Sequence, residues 1–308
     1  MKRTFLPWIE GQKKKLFWST LSYNTSEIDI LVQNRDLIDW HELSRNKYAI
    51  SLLEKNQNKI DWLNLSSNEN AISLLEKNIH KIHWARLSFN KNAITILEKN
   101  LDKVDWDDLS SNINAIHILK KNLDKVHWWY LSQNINAISI LEENLDKINW
   151  SFLSFNNNAI PLLEKNQDKI DWRHLSNNIN AISLLEQNLD KINWHNLSGN
   201  MNAIPLLEKN IDKINWPSLS FNVNAIHIME QNIDKINWVG LSKNYNAIHL
   251  LEKNQDKVNF FWLSFNTNIY THDYKYYQDR TDVYREELMK NVFHTRHLSR
   301  YLELGYDY

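Results

Sequence analysis

Tryptophan recurs in this chain every 22 residues without a slip, at positions 18, 40, 62, 84, 106, 128, 150, 172, 194, 216 and 238, and Phe260 takes the twelfth place. The residues around it recur as well: 105–122 read DWDDLSSNINAIHILKKN, and 127–144 read HWWYLSQNINAISILEEN. A fixed period between about 20 and 50 residues marks a solenoid or array, in which a unit too small to bury its own apolar face stacks on copies of itself. Such a body grows linearly. The 308 residues are therefore expected as one elongated array and not as the two globular domains that length alone suggests.

Counting from the Trp, Leu stands at three, Ser at four and Asn at six in all twelve copies, from Leu21, Ser22 and Asn24 to Leu263, Ser264 and Asn266. Central copies add Asn at eight, Ala at nine, Ile at ten, an apolar pair at twelve and thirteen, usually Glu at fourteen, and Asn at sixteen. This second half reads as a short helix. Asn158 is placed to cap it, with Pro161 in the first turn where a missing N–H costs nothing, and Asn202 with Pro205 repeats the arrangement. Asn166 is assigned to a left-handed residue that ends the helix. A second helical turn starts at the Trp, capped by the residue before it: Asp39, Asp61, Asp105, Asn149, Asp171, Asn193, Asn215, Asn237 and Asn259, with His83 and His127 as exceptions. Pro217 then falls in a first turn, and Ile170 with Leu175 forms a hydrophobic staple. Coils made of strands need glycine at their corners, and four Gly cannot supply them.

Helices this short do not persist alone in water, so stacking must hold them. A buried Trp removes on the order of 150–250 Å² from water, about 4–6 kcal/mol before entropy is subtracted. The indoles are thus expected as the spine of the core, and eleven layers at about 8–10 Å each trace a path of roughly 100 Å. The expected fold class is all-α, an α-solenoid of short helix pairs with 22 residues per repeat and helical caps at both ends. The N-terminal cap covers 1–17, the array 18–268 with eleven full repeats and a degenerate twelfth, and the C-terminal cap 269–308. The first repeat is irregular, with Glu27 for Ala, Val32 for Glu and Leu37 for Lys. In the tail, Thr281 or Asp282 is placed to cap a helix carrying Tyr284, Leu288 and Val292, and Thr295 a second one with Leu298, Tyr301 and Leu302 and a stop at Gly305.

Composition excludes several kinds of chemistry. With 36 basic against 37 acidic residues there is no overall field to draw in nucleic acid or an anionic membrane. No Cys means no disulfide, zinc-thiolate site or thiol nucleophile. No apolar run reaches the roughly 18 residues of a membrane span, and the first residues lack a signal-peptide core, which leads us to expect a soluble intracellular protein. Nucleophile elbows, phosphate loops and dinucleotide-binding glycines are absent. The pairs His80/His83 and His294/His297 and the trio His117, His227 and His249 lack a third ligand at metal spacing, and Asp107 and Asp108 read as solvated. No enzyme, cofactor or metal is expected. The Asn columns read as helix-end structure, and Glu at fourteen and Lys at nineteen as solvated charge rows.

Binding is expected where the repeats differ, at one, two and five after the Trp. Aromatic residues occupy the fifth place at Tyr23, Phe89, Phe155 and Phe221, a step of 66 residues. Three repeats per superhelical turn would align them as a stripe. Trp129, Tyr130, Phe152 and Phe155 are the densest group and, with Phe89 and Phe221, are the candidate partner-binding residues.

The unit WxxLSxNxNAIxLLExNxDKI at 172–192 and the tail EELMKNVFHTRHLSRYLELGYDY at 286–308 resemble the 22-residue Trp/Asn repeat proteins of giant DNA viruses of protists, over nearly the whole chain. That family often carries Pro seven after the Trp and in a His-Pro of the tail, where this chain has residues such as Ile179 and Thr295. The resemblance implies an ankyrin-like scaffold of viral origin, located in the host cytoplasm or virion, with no catalytic residues to carry over. A non-enzymatic protein-interaction scaffold is therefore the expected function. The alternatives are a structural virion component and a helical-repeat binder of single-stranded RNA using Arg86, Lys91, Arg173 and the aromatics. Basic residues do not recur at any variable position and acids stand beside them, so the phosphate track that RNA would need is not evident.

Overall fold

Each unit folds as a first helix that begins at its Trp, a tight turn, a second helix and a 3-10 turn that leads to the next Trp. In the computed structural model, which describes residues 3–276, 278, 279, 281 and 282, the seventh unit shows the plan: helices Trp150–Phe155 and Ile160–Glu164, then the turn Gln167–Lys169. The chain is thus an all-α solenoid of short helix pairs, and consecutive first helices pack against one another along it.

The caps before the Trp form as the sequence suggests. Asp171 Oδ1 accepts from the His174 N–H at 3.1 Å and Asn193 Oδ1 from that of Asn196 at 3.0 Å. His83 substitutes with Nδ1 at 3.4 Å, whereas His127 makes no such bond. Pro161, Pro205 and Pro217 all lie in first turns.

The second helix departs from expectation at both ends. Its N-cap is Ala159, without a side-chain bond. Asn158, expected there, instead donates Nδ2 to the Ile135 carbonyl of the preceding repeat at 2.9 Å. The reason is Asn156, whose Oδ1 takes the Asn158 N–H at 3.0 Å and curls the chain into its own turn before the helix starts. Asn166 is not left-handed, with φ −135° and ψ 49°. Its Nδ2 satisfies the Leu162 carbonyl at 2.9 Å, so the helix end needs no positive φ.

The core is not a column of indoles. Every Trp that opens a repeat is only half-buried, while Leu153, Ser154, Asn156, Ala159, Leu162 and Leu163 and most of their equivalents are buried. Lysine at nineteen, expected in solvent, covers the Trp of its own repeat: Lys169 Nζ lies 4.8 Å from the Trp150 ring centre, and the same pairing runs from Lys59 over Trp40 to Lys257 over Trp238. An indole at the first residue of its helix sits at the edge of the layer, where a cation over the ring is worth about 0.5–1 kcal/mol.

Hydrogen bonds from buried side chains join the layers. Asn156 donates Nδ2 to the Ser132 and Asn134 carbonyls of the preceding repeat, both at 3.1 Å, and every Asn at six from Asn68 to Asn266 does the same. Ser154 donates to the Trp150 carbonyl at 2.7 Å and accepts from the Asp171 N–H of the following unit at 3.0 Å.

The array, Lys14–Ile269, is one compact unit, and it closes on itself. Phe17 N donates to Ser264 Oγ at 2.8 Å and Asn24 Nδ2 to the Ser264 carbonyl at 3.3 Å. These are the bonds by which any repeat engages the one before it, so the twelfth repeat precedes the first. Lys15 lies over the Phe260 ring at 5.0 Å, the lysine-on-aromatic pairing of the other repeats. The path of roughly 100 Å expected for an open stack is therefore bent into a ring. First helices approach their neighbours more closely than second helices do, so each layer is a wedge and equal wedges turn the stack round.

The second unit consists of residues up to Lys13 and those from Tyr270 onward. The two ends, expected as separate helical caps, are joined there by an antiparallel ribbon of β1 (Arg3–Phe5) and β2 (Tyr270–His272), with Phe5 opposite Tyr270. These β-formers favour the extended chain. Counting back from Trp18, the first residues spell half a repeat: Trp8 and Ile9 take the apolar pair, Glu10 the Glu column, Gln12 the Asn column and Lys15 the Lys column. Gln12 Nε2 donates to the Trp8 carbonyl at 3.2 Å, as Asn166 does to Leu162. After β2 helical structure resumes at Tyr274, where Asp273 Oδ1 accepts from the Tyr276 N–H at 3.0 Å. Thr281 and Asp282 are themselves helical and not its start. Tyr284, Leu288, Val292, Thr295, Leu298, Tyr301, Leu302 and Gly305, with His294 and His297, lie outside the described residues.

Replacing Asn156 removes three hydrogen bonds and strands buried carbonyls, so Asn156→Ala is expected to cost about 2–4 kcal/mol. Asn158→Ala, exposed and making a single side-chain bond, should cost under about 1 kcal/mol. Urea denaturation of the two variants checks the order.

Candidate functional site

The residues common to all repeats are consumed by the fold, which leaves the exposed faces of the first helices and the turns that follow them. Trp129 and Tyr130 are exposed there, and Trp129 meets Phe152 of the next repeat with ring centres 5.0 Å apart. Phe152 in turn stacks on His174 at 6.2 Å, and Tyr130 packs on His127 at 4.7 Å. His127 shares with Phe17 the distinction of leaving its helix uncapped. Its Nδ1 is buried without a hydrogen-bond partner, so the ring serves Tyr130 in place of the helix. Phe155 is 51% exposed on the same helix as Phe152. The structure thus joins Trp129 to Phe152 and leaves Phe155 beside them.

The other two candidates go elsewhere. A ring of twelve units puts three repeats a quarter of the circle apart, so the four aromatics Tyr23, Phe89, Phe155 and Phe221 do not form one stripe, although Tyr23 and Phe89 line a common groove. The Phe221 ring fills the space over Gly240, where a Cβ would come within 2.9 Å of it, and meets Trp262 edge-on at 5.7 Å. Phe89 instead faces a groove.

That groove, of about 610 Å³, runs over the first four repeats and the start of the fifth. Asn24, Asn46 and Asn68 line it, together with Tyr23, Tyr48, Phe89, the cations Arg45, Lys47, Arg86 and Lys91 and the acids Glu69 and Asp108. Lys91 pairs with Glu69 at 2.9 Å. The Arg45 guanidinium lies over Tyr23 at 5.3 Å and Lys47 Nζ over Tyr48 at 5.2 Å. Burial pushes the Asp108 carboxyl up, Asp105 and Asp107 push the same way, and Arg86 opposes them. Sequence reasoning named Phe89 but missed the groove, because its walls come from positions two, five, seven and eight of different repeats. The signal was present in column seven, which is Lys47, Glu69 and Lys91 here and Ile113 and Ile135 in the next two repeats.

A Ser, a His and an Asp meet beside Phe152. Ser151 Oγ donates to Asp171 Oδ2 at 2.6 Å, and His174 Nδ1 lies 2.9 Å from Ser151 Oγ and 2.8 Å from Asp171 Oδ2. Hydroxyl and carboxylate share one ring nitrogen, and the hydroxyl hydrogen is directed at the carboxylate. A nucleophilic triad places them on opposite nitrogens. Burial, the largest influence on Asp171, would raise its carboxyl, but hydrogen bonds from Ser151, the His174 ring and the His174 N–H together hold it at about 2. The trio His117, His227 and His249 is spent on ion-pair geometry, each Nε2 lying 2.6–2.8 Å from the Glu at fourteen of the preceding repeat. Among the described residues no cluster of three metal-binding side chains occurs, and no helix is long and apolar enough to cross a membrane.

No family model, curated protein or solved structure matches the chain.

The Asp171 cluster gives a pH test. Its folded value lies below the ordinary 3.8, so the ionised carboxylate stabilises the fold above about pH 4, and that contribution is lost as the pH falls toward about 2. Asn keeps the cap, as at Asn149. Urea midpoints measured from pH 6 to 2 should therefore fall more steeply at the acid end for the wild type than for Asp171→Asn.

Proposed function

We propose that the protein is a non-enzymatic scaffold that binds another protein through exposed side chains on its first helices. One observation carries this reading: Trp129 and Phe152 stand together at variable positions, with Tyr130 and Phe155 on the same helices, while the invariant Leu, Ser and Asn of those repeats are buried in the layers. Trp and Tyr are the residue types that dominate interface energetics, since a large rigid ring buries area at little entropic cost. The resemblance to the repeat proteins of giant DNA viruses supports a viral scaffold acting in the host cytoplasm or the virion.

An RNA reading draws on Arg86 beside Phe89. It is the weaker of the two, because Lys91 is paired with Glu69 and Asp108 shares the same groove, and acids in the wall repel a phosphate backbone.

Affinity capture on the immobilised full chain, with cross-linking and mass spectrometry, tests the scaffold. A partner cross-linked near Trp129 should be lost at least ten-fold from Trp129→Ala/Phe152→Ala, a change of about 1.4 kcal/mol or more. Retention of that partner at wild-type levels would contradict the assignment.

A further inference from the structure

We infer that the groove over the first four repeats is a second binding site, which takes a short acidic peptide segment of a partner protein. Arg45, Lys47 and Arg86 receive its carboxylates, and Tyr23 and Phe89 receive its apolar side chains.

The first argument comes from what the fold leaves free. Column eight is Asn in every repeat from Asn70 to Asn268, and its amide bridges to the preceding repeat. The second repeat has Tyr48 there, and Asn46 takes over the Thr25 carbonyl. Column seven is apolar at Ile113, Ile135, Ile179, Met201 and Val223 and neutral at Asn157 and Thr267, and it is charged only at Lys47, Glu69 and Lys91, in the groove. Repeats built on one backbone plan tolerate either choice. The departures therefore carry no structural requirement, and they converge on one concavity.

The second argument is charge. Four cations and two acids line the groove, and Lys91 is already neutralised by Glu69. Arg45 and Lys47 rest on tyrosine rings and not on carboxylates, while Arg86 acts on Asp108 only through space. A cation held over a ring keeps its charge for an incoming anion and loses little freedom on binding, because its stem is already positioned.

Size and mixed polarity then select the ligand. A volume of about 610 Å³ lies in the range of sites for small ligands and short peptide segments, roughly 300–1,000 Å³. Exposed rings between the cations call for apolar side chains between carboxylates. The acids in the wall repel a continuous polyanion, so a peptide of alternating acidic and apolar residues fits where a nucleic acid does not.

This goes beyond the scaffold proposed above, since the groove shares no residue with the Trp129 cluster. The experiment is selection of eight-residue peptides from a random display library on the immobilised full chain, followed by fluorescence anisotropy of the enriched peptides and of a ten-nucleotide single-stranded RNA. The chain itself supplies fold-compatible replacements for a triple variant, Arg45→Gln, Lys47→Ile and Arg86→Ser, since Gln133, Ile113 and Ser218 occupy the same columns. Enriched peptides should be rich in Asp and Glu with apolar residues between them. They should bind the triple variant at least ten-fold more weakly and weaken as salt rises, yet bind Trp129→Ala/Phe152→Ala as they bind the wild type. Should the triple variant melt early, Arg45→Gln alone should still lose at least three-fold. Enrichment without acidic bias, unchanged binding to the variants with intact melting curves, or tighter binding of the RNA than of any peptide would overturn the proposal. Loss of binding in the Trp129/Phe152 variant alone would move the site to the cluster and leave the scaffold standing.

Discussion

The fold depends on one side chain, the asparagine six residues after each Trp. Its Oδ1 accepts the N–H two residues on and fixes the turn between the helices, while Nδ2 donates to two carbonyls of the repeat before. Those carbonyls lie where the preceding first helix ends, and a buried carbonyl without a partner costs about 1–3 kcal/mol. Aspartate has no donor to offer them, and glutamine is longer by a methylene. Ser at four completes the join by donating within its own helix and accepting from the next unit. Turn geometry and layer contact are therefore the same interaction, which accounts for a motif of Leu, Ser and Asn with no exception in twelve copies.

Closure follows from that join. An open array leaves its terminal repeats with free carbonyls and apolar faces, which natural solenoids cover with polar caps. Here the last repeat meets the first through the bonds that operate everywhere else, Phe17 to Ser264 and Asn24 to Ser264. The seam is leaner than the other joins. Asn24 makes one such bond at 3.3 Å, where later Asn residues make two. Phe17 offers no side-chain oxygen to cap the first helix, and Leu37 takes the lysine place. The irregularity of the first repeat is thus confined to the place where the ring is joined.

Much of this was legible in the residues, and what was not has physical reasons. The period gave the solenoid, and two prolines in the second helices with one in a first helix fixed the helix starts to within a residue. The three asparagine columns look alike in sequence but bond in three ways: to the preceding repeat's helix end, to its turn, and to a helix's own last carbonyl. Nothing in their spacing separates these. Trp conservation within the chain suggested a core, yet a period tells which residues recur and not how deep they lie. Lys at nineteen was the missing half of that reading, since a recurring cation beside a recurring ring is what a half-exposed indole needs. The ring was hidden because curvature is set by the wedge angle of a layer, which no single column encodes. Its one readable sign was the half-repeat from Trp8 to Lys15, in register with Trp18.

Invariance and variation divide the molecule between structure and recognition, and closure decides which exposed residues become neighbours. Of the aromatics a 66-residue step seemed to align, Tyr23 and Phe89 share the groove over the first four repeats, while Phe155 and Phe221 lie outside it. The central claim is that the twelfth repeat seats on the first. Spin labels on the exposed positions Ser19 and Thr267, read by double electron–electron resonance, measure it directly. Seated repeats one layer apart, about 10 Å, predict a short, narrow distribution below roughly 30 Å once the label linkers are included. An open rod of the same repeats would place the labels near 100 Å, beyond detectable coupling, and that result would contradict the closed array.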